Sequence, residues 1–212
     1  MASTKKRNLI TYTNPDSIIS EQYRTIRTNL HFIHGEKKNN TLLVTSPSKQ
    51  EGKSTTIANI AVSMAQQKEK VLLIDGNLRS PSIHQIFKTS NESGLTNVLS
   101  SKATFEETVF SSEIGSLDIL PSGTVPFNPA ELLGSKAMRA LLEKVSRLYD
   151  IILIDSPSVL EVTDTKILAN LSDGVVLVVR QDKTNKEYAV ESKKVLEYAK
   201  ANVVGVILNE KN

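Results

Sequence analysis

Thr41-Leu42-Leu43-Val44-Thr45-Ser46-Pro47-Ser48-Lys49-Gln50-Glu51-Gly52-Lys53-Ser54-Thr55 is the stretch whose reading decides the fold. An apolar run leads into a polar loop, and a helical pattern begins at about residue 54. Gly52, Lys53 and Ser54 fall in the spacing G-x4-G-K-[ST]. There, loop N–H groups cradle phosphates, the lysine reaches the outer phosphates, and the hydroxyl bonds Mg²⁺. The candidate contacts are therefore Ser48, Lys49, Gln50, Glu51, Gly52, Lys53, Ser54 and Thr55. Pro47 stands at the first glycine position, and Gln50 where a second glycine is common, so the curvature of the loop is less defined than its type. The bland alternative is a chance Gly-Lys-Ser in a loop.

The same kind of run recurs along the chain, at 41–45, 71–75, 117–120, 151–155, 175–179 and 203–208. Nearly all lack an in/out alternation, which suits strands covered on both faces by helices, that is, a parallel sheet. Helical patterns at about 54–67, 130–148, 163–171 and 185–201 lie between them. The expected class is α/β, a doubly wound, mostly parallel sheet with helices on both faces, in a single domain over 1–212. Strand order is not specified by such a pattern.

Composition narrows the chemistry. The chain has no cysteine, which removes disulfides, thiolate catalysis and Cys-based zinc sites. No apolar run reaches the roughly 18 residues of a membrane span, and a cytoplasmic setting is expected. The 26 Lys and Arg are interspersed with 23 Asp and Glu for a net charge of +3, so no nucleic-acid partner is expected. Lys5-Lys6-Arg7 mark residues 1–16 as a flexible basic N-terminal segment.

Ligands of such sheets sit at the carboxyl ends of the strands. Two further runs end there in an acid, Asp75 and Asp155. Asp155 after four apolar residues has the form of a Walker B strand, whose carboxylate holds Mg²⁺; a turn or helix-cap role is its alternative. Upstream, Ile19, Tyr23, Ile26, Leu30 and Ile33 form one apolar stripe of a helix over 17–34. Glu21, Arg24 and Arg27 are assigned to the opposite side, where a solvated charged face is the default.

Val71-Leu72-Leu73-Ile74-Asp75-Gly76-Asn77-Leu78-Arg79 narrows the family. It resembles the Walker A′ motif, apolar residues followed by D-x-D-x-R, of the bacterial protein-tyrosine kinases of capsule and exopolysaccharide operons. Glu21-Gln22-Tyr23-Arg24-Thr25-Ile26-Arg27 is similar to that family's E-x2-R-x2-R element, and Asn128-Pro129-Ala130-Glu131-Leu132-Leu133 to its N-P-x-E-L-L segment. Tyr149-Asp150 before the Walker B strand is similar too. The resemblance covers nearly the whole chain and implies phosphorylation of protein tyrosine with ATP and Mg²⁺. Lys53, Asp75, Asn77, Arg79 and Asp155 would form the catalytic set. Ser54, Asp75 and Asp155 would serve the metal, and Asp75 would take the tyrosine proton. Asn209 matches a position that faces the adenine, with a surface polar cap as its alternative. Glu21, Arg24 and Arg27 would dock on the next subunit of a homo-oligomeric ring. A membrane-bound polysaccharide co-polymerase would act as activator at the inner face of the membrane, and a cognate tyrosine phosphatase would oppose the reaction.

The chain departs from the family pattern twice. Asn77 replaces the second acid of D-x-D-x-R, and the five tyrosines (12, 23, 149, 188 and 198) form no cluster. Three readings stay open: an active tyrosine kinase, a weakened ATP-binding scaffold of the same pathway, and a positioning ATPase. Against the last, Ser48 stands where those ATPases carry a signature lysine, and no C-terminal amphipathic helix is seen.

Overall fold

The computed structural model describes residues 9–34, 40–181 and 183–210. Seven strands form one sheet: β1 (Asn40–Thr45), β2 (Val71–Asp75), β3 (Phe110–Ser111), β4 (Leu117–Leu120), β5 (Ile151–Asp155), β6 (Gly174–Arg180) and β7 (Val203–Asn209). Their order is β3-β4-β2-β5-β1-β6-β7, parallel throughout except for β3 against β4. The helices are α1 (Ile10–Thr13), α2 (Ile18–His34), α3 (Lys53–Ala65), α4 (Ile83–Phe87), α5 (Leu95–Leu99), α6 (Phe105–Thr108), α7 (Pro129–Leu133), α8 (Lys136–Val145), α9 (Asp164–Asn170) and α10 (Lys186–Tyr198).

The strands are apolar on both faces because both faces are covered. Leu42, Val44, Val71, Leu73 and Leu153 pack with α3 on one side, and Leu43, Leu72, Ile74, Ile152 and Ile154 with α8 and α9 on the other. Burying each such side chain contributes roughly 1.5–3 kcal/mol. At the edge strand β7 the pattern breaks: Val204 and Ile207 pack inward while Val206 and Leu208 are exposed. Helix α3 is buried over ten consecutive residues, Thr56 to Ala65, between the sheet beneath it and α1 and α2 outside it.

Three expectations need correction. The helix expected over 130–148 is two, because Ser135 caps a fresh start by accepting the Met138 N–H at 3.3 Å. Lys5-Lys6-Arg7 lie outside the described residues, but the stretch expected to be flexible down to residue 16 is anchored at Leu9 and Thr11, with residues 12–16 exposed. Leu9 is buried, and Thr11 donates its N–H to the Asn59 Oδ1 of α3 at 3.1 Å and its hydroxyl to the same atom at 2.9 Å.

The third correction concerns α2. Tyr23, Ile26 and Leu30 pack on the core as the stripe requires. Arg27, however, is half-buried and donates to the Ser63 carbonyl at 2.7 Å and hydroxyl oxygen at 3.2 Å. At about 100° per residue Arg27 lies only about 40° from Tyr23, on the flank of the stripe and not opposite it. Glu21 faces outward and pairs at 2.6 Å with Arg24, which is about a third exposed and also donates to the Pro15 carbonyl at 2.6 Å. Arg27→Ala is therefore expected to lower stability by about 1–2 kcal/mol, because it strands two acceptors on α3, and Arg24→Ala by no more than about 0.5 kcal/mol. Denaturant midpoints of the two variants check this.

Candidate nucleotide site

The strand register assembles the site. Asp155 at the end of β5 is level with Val44 of β1 on one side and with Asp75 of β2 on the other. Parallel neighbours lie about 4.8 Å apart, so the two carboxylates and the loop after β1 share one edge of the sheet. Both acids are fully buried.

Between β1 and α3 the loop turns at two residues with positive φ, Gln50 (61°) and Gly52 (87°). Gln50 adopts the left-handed form that a second glycine would take, at a cost of about 1 kcal/mol. Gly52 is required twice, by its φ and because a Cβ there would come within 2.2 Å of Asn209 Nδ2. Helix α3 starts at Lys53 with no side-chain cap, leaving its first N–H groups directed at the loop, as an anion site needs.

Ser54 donates its hydroxyl to Asp155 Oδ2 at 2.6 Å, and Lys53 Nζ lies 3.5 Å from the same Ser54 Oγ. Asp155 Oδ1 is buried with no partner among the described residues. A buried carboxylate oxygen without a donor, beside a serine hydroxyl and a lysine, fits a divalent cation held by Ser54 and Asp155. Asp75 is held differently. Its Oδ1 accepts from Asn77 N at 3.2 Å, and its Oδ2 from Ser82 N and Ile83 N, both at 3.0 Å. Burial, and then the charge of Asp155, push the Asp75 carboxyl up to about 7 against the pull of those three N–H groups. Burial raises Asp155 as well, opposed by Lys53, Ser54 and Ser156.

Asn77 is buried and accepts the Ser80 N–H at 3.2 Å, shaping the turn after β2. Arg79 makes a two-pronged pair with Asp164 at the start of α9, at 2.8 and 3.0 Å, so it buttresses the rim of the site. Asn209 is not a surface cap: its Nδ2 donates to the Glu51 carbonyl at 2.9 Å, bringing the end of β7 against the loop. Lys49 pairs with Glu161 at 3.1 Å. Thr55 is half-buried on the first turn of α3, and its carbonyl accepts from Asn59 Nδ2 at 2.9 Å. Ser48 and Glu51 bond to each other, Ser48 N to Glu51 Oε1 at 3.0 Å. Glu21, Arg24 and Arg27 stand apart, on α2. Tyr149 and Asp150 serve the opposite ends of the strands. Tyr149 donates to Asp118 Oδ2 at 2.8 Å, and Asp150 Oδ2 accepts the Lys70 N–H at 2.9 Å. A cavity of about 340 Å³ lies beside α7, lined by Ser100, Pro126, Asn128, Glu131, Leu132 and Ser135, and shares no residue with the nucleotide site.

Asp164, Lys183 and Thr184 contribute to the site's frame without any sequence signal, because their partners lie 85, 134 and 133 positions away.

A phosphate-cradling loop between a buried parallel strand and its helix, with two acids at neighbouring strand ends, defines a P-loop nucleotide-binding protein. Residues 50–202 match the AAA domain family. The tyrosine-protein kinase YwqD of Bacillus subtilis is 46% identical over 209 residues, 99% of this chain and 88% of the relative. Among solved structures, the kinase domain of the Escherichia coli tyrosine kinase ETK superposes with a TM-score of 0.92 at 34% identity, over 95% of this chain and 79% of that one. The chain belongs to the bacterial tyrosine-protein kinases, a nucleotide-using family. The fold is shared more widely, with the cell-division ATPase MinD of Pyrococcus furiosus at a TM-score of 0.69 and 23% identity, over 81% of this chain and 72% of that one.

Proposed function

We propose that the chain transfers the γ-phosphoryl group of Mg²⁺-ATP to tyrosine side chains of another polypeptide. The observation that carries this reading is the buried Asp155, one oxygen on Ser54 and the other without a partner among the described residues, beside Lys53 and Asp75. Lys53 binds the outer phosphates, the N–H groups at the start of α3 cradle them, and Ser54 and Asp155 hold Mg²⁺, which neutralises charge on the phosphates. Asp75 receives the tyrosine proton as the phenolic oxygen bonds to phosphorus and the bond from phosphorus to ADP breaks. A carboxylate with a pKa of about 7 suits a base that works near neutrality. Asn77 and Arg79 shape the turn and rim, and Asn209 lies on the side of the base.

Tyr149 is hydrogen-bonded within the fold and Tyr23 is packed against the core, while Tyr12, Tyr188 and Tyr198 are exposed but stand singly along the sequence, so a separate tyrosine-rich polypeptide is the expected acceptor. No helix among the described residues is long and apolar enough to cross a membrane. Following the family resemblance, we place the domain in the cytoplasm, at the inner face of the membrane, held by a polysaccharide co-polymerase that activates it and opposed by a cognate tyrosine phosphatase. There it would regulate capsule or exopolysaccharide synthesis. Self-assembly into a ring would use the outward Glu21–Arg24 pair on α2, with Arg27 acting from behind. Against the positioning ATPase, Ser48 fills the place of that group's signature lysine and turns its N–H inward to Glu51.

Incubating the purified chain with Mg²⁺-ATP and a tyrosine-rich polypeptide is expected to yield phosphotyrosine on the polypeptide, with ADP released in step. ADP formed at the same rate with or without acceptor, and no phosphotyrosine, would establish the positioning-ATPase reading instead. ATP binding with neither product would establish the scaffold.

A further inference from the structure

Glu51 is an anomaly in the loop that receives the phosphates. A carboxylate there repels a polyphosphate, so its charge cannot serve binding directly. It is nevertheless buried to 1% exposure, and both its oxygens are used. Oε1 accepts the Ser48 N–H at 3.0 Å, closing the loop across its neck, and Oε2 accepts the Thr184 hydroxyl at 2.6 Å. The Thr184 oxygen in turn accepts the Arg180 N–H at the end of β6, at 2.8 Å. Beside this relay, Lys183 Nζ donates to the Lys49 carbonyl at 2.6 Å and Asn209 Nδ2 to the Glu51 carbonyl at 2.9 Å.

Glycines let a phosphate loop bend without strain, and two of the positions where they serve are Pro47 and Gln50 here, Gln50 in the left-handed region. Something must hold the strained curve in the absence of nucleotide. We infer that Glu51 is a positioning residue for phosphoryl transfer: its carboxylate keeps the loop in the phosphate-cradling shape and, through Thr184, ties that shape to the edge formed by β6 and β7. The inference rests on Mg²⁺-ATP binding at this loop. Hydrogen bonds to a buried carboxylate are strong and short, and their loss frees Ser48 N–H, Thr184 Oγ and the Gln50 turn together. Glutamine keeps the essentials, since its oxygen can accept from Ser48 while its amide donates to the Thr184 oxygen.

The test compares wild type, Glu51→Ala, Glu51→Gln, Thr184→Val and Lys53→Met for ATP and tripolyphosphate affinity, KM, kcat and melting without ligand. Glu51→Ala is expected to weaken ATP and tripolyphosphate binding alike by ~10–100-fold and to raise KM more than it lowers kcat, while Glu51→Gln stays within about threefold. Thr184→Val, which removes only the outer half of the relay, is expected to weaken ATP binding by ~3–10-fold, and it decides the matter if Glu51→Ala does not fold. Unchanged affinity in Glu51→Ala or Thr184→Val, or a glutamine variant as impaired as the alanine, overturns the inference. Lys53→Met separates the two levels. If it loses ATP binding while Glu51→Ala does not, only the role of Glu51 falls, whereas wild-type binding in Lys53→Met removes the nucleotide reading and this inference with it.

Discussion

Lys53→Met and Asp155→Asn are each expected to cut phosphotyrosine formation by roughly a thousandfold, about 4 kcal/mol of barrier, while moving the stability of the nucleotide-free chain in opposite directions. Lys53 is the positive charge that holds the Asp155 carboxyl down. Without it, two buried acids at adjacent strand ends face each other with no counter-charge, and the free chain should lose about 1–3 kcal/mol. Asp155→Asn removes the repulsion and places a neutral amide beside Asp75, so the free chain should gain about 1–2 kcal/mol, or a few degrees in melting temperature at this length. The pH dependence follows from Asp75, whose carboxyl is raised to about 7 in the folded chain. Between the ordinary carboxylate range and pH 7 the folded chain holds a proton that the unfolded chain has released. Stability contributed by this group is therefore fully present below the ordinary range and declines as pH rises towards 7. Melting curves between about pH 5 and 8 should show that decline in wild type, and a shallower one in Asp155→Asn, where the second cause of the shift is gone. Equal slopes would mean that the two carboxylates do not interact.

Asn77→Asp is expected to speed transfer by ~10–100-fold with a supplied acceptor and to lower the Mg²⁺ concentration needed. Aspartate can still accept the Ser80 N–H that Asn77 accepts, so the turn should survive. Burial and the charge of Asp155 already raise the Asp75 carboxyl to about 7 without a second acid at position 77. The gain should come through the metal: a further negative charge in a buried site draws in the cation, at the cost of a free chain destabilised by a third acid. A Mg²⁺ titration of the rate, beside melting curves with and without Mg²⁺-ATP, reads both effects. If neither rate nor Mg²⁺ requirement changes, position 77 lies outside the metal's reach.

Much of this was legible because burial on both faces writes a strand as an unbroken apolar run, and because the acids that matter terminate such runs. All six expected strands formed, and Lys53, Ser54, Asp75 and Asp155 meet at one edge. Short elements were missed for want of length: α4, α5 and α6 span four or five residues, less than two turns, and β3 only two. Contacts that depend on strand order were also invisible. Glu51 reads as one more loop residue until β6 is seen beside β1, which brings Thr184 to its carboxylate. The pairing of Arg79 with Asp164 likewise needed α9 to be placed beside the loop after β2. Arg27 was misplaced by treating a helix as two faces when it also has flanks.

Helix α3 carries Lys53 and Ser54 at its tip and is enclosed along ten residues, many of them small: Ala58, Ala61, Ser63 and Ala65. Such a helix has no spare volume, and one added methylene costs about 1–3 kcal/mol as neighbours shift. Its tolerance to substitution is thus set by steric room all the way down, with no ligand in contact beyond the first turn. In a survey of variants, loss of function all along α3 would look like a long catalytic element, yet it would report only the crowding around a shaft whose working end is two residues.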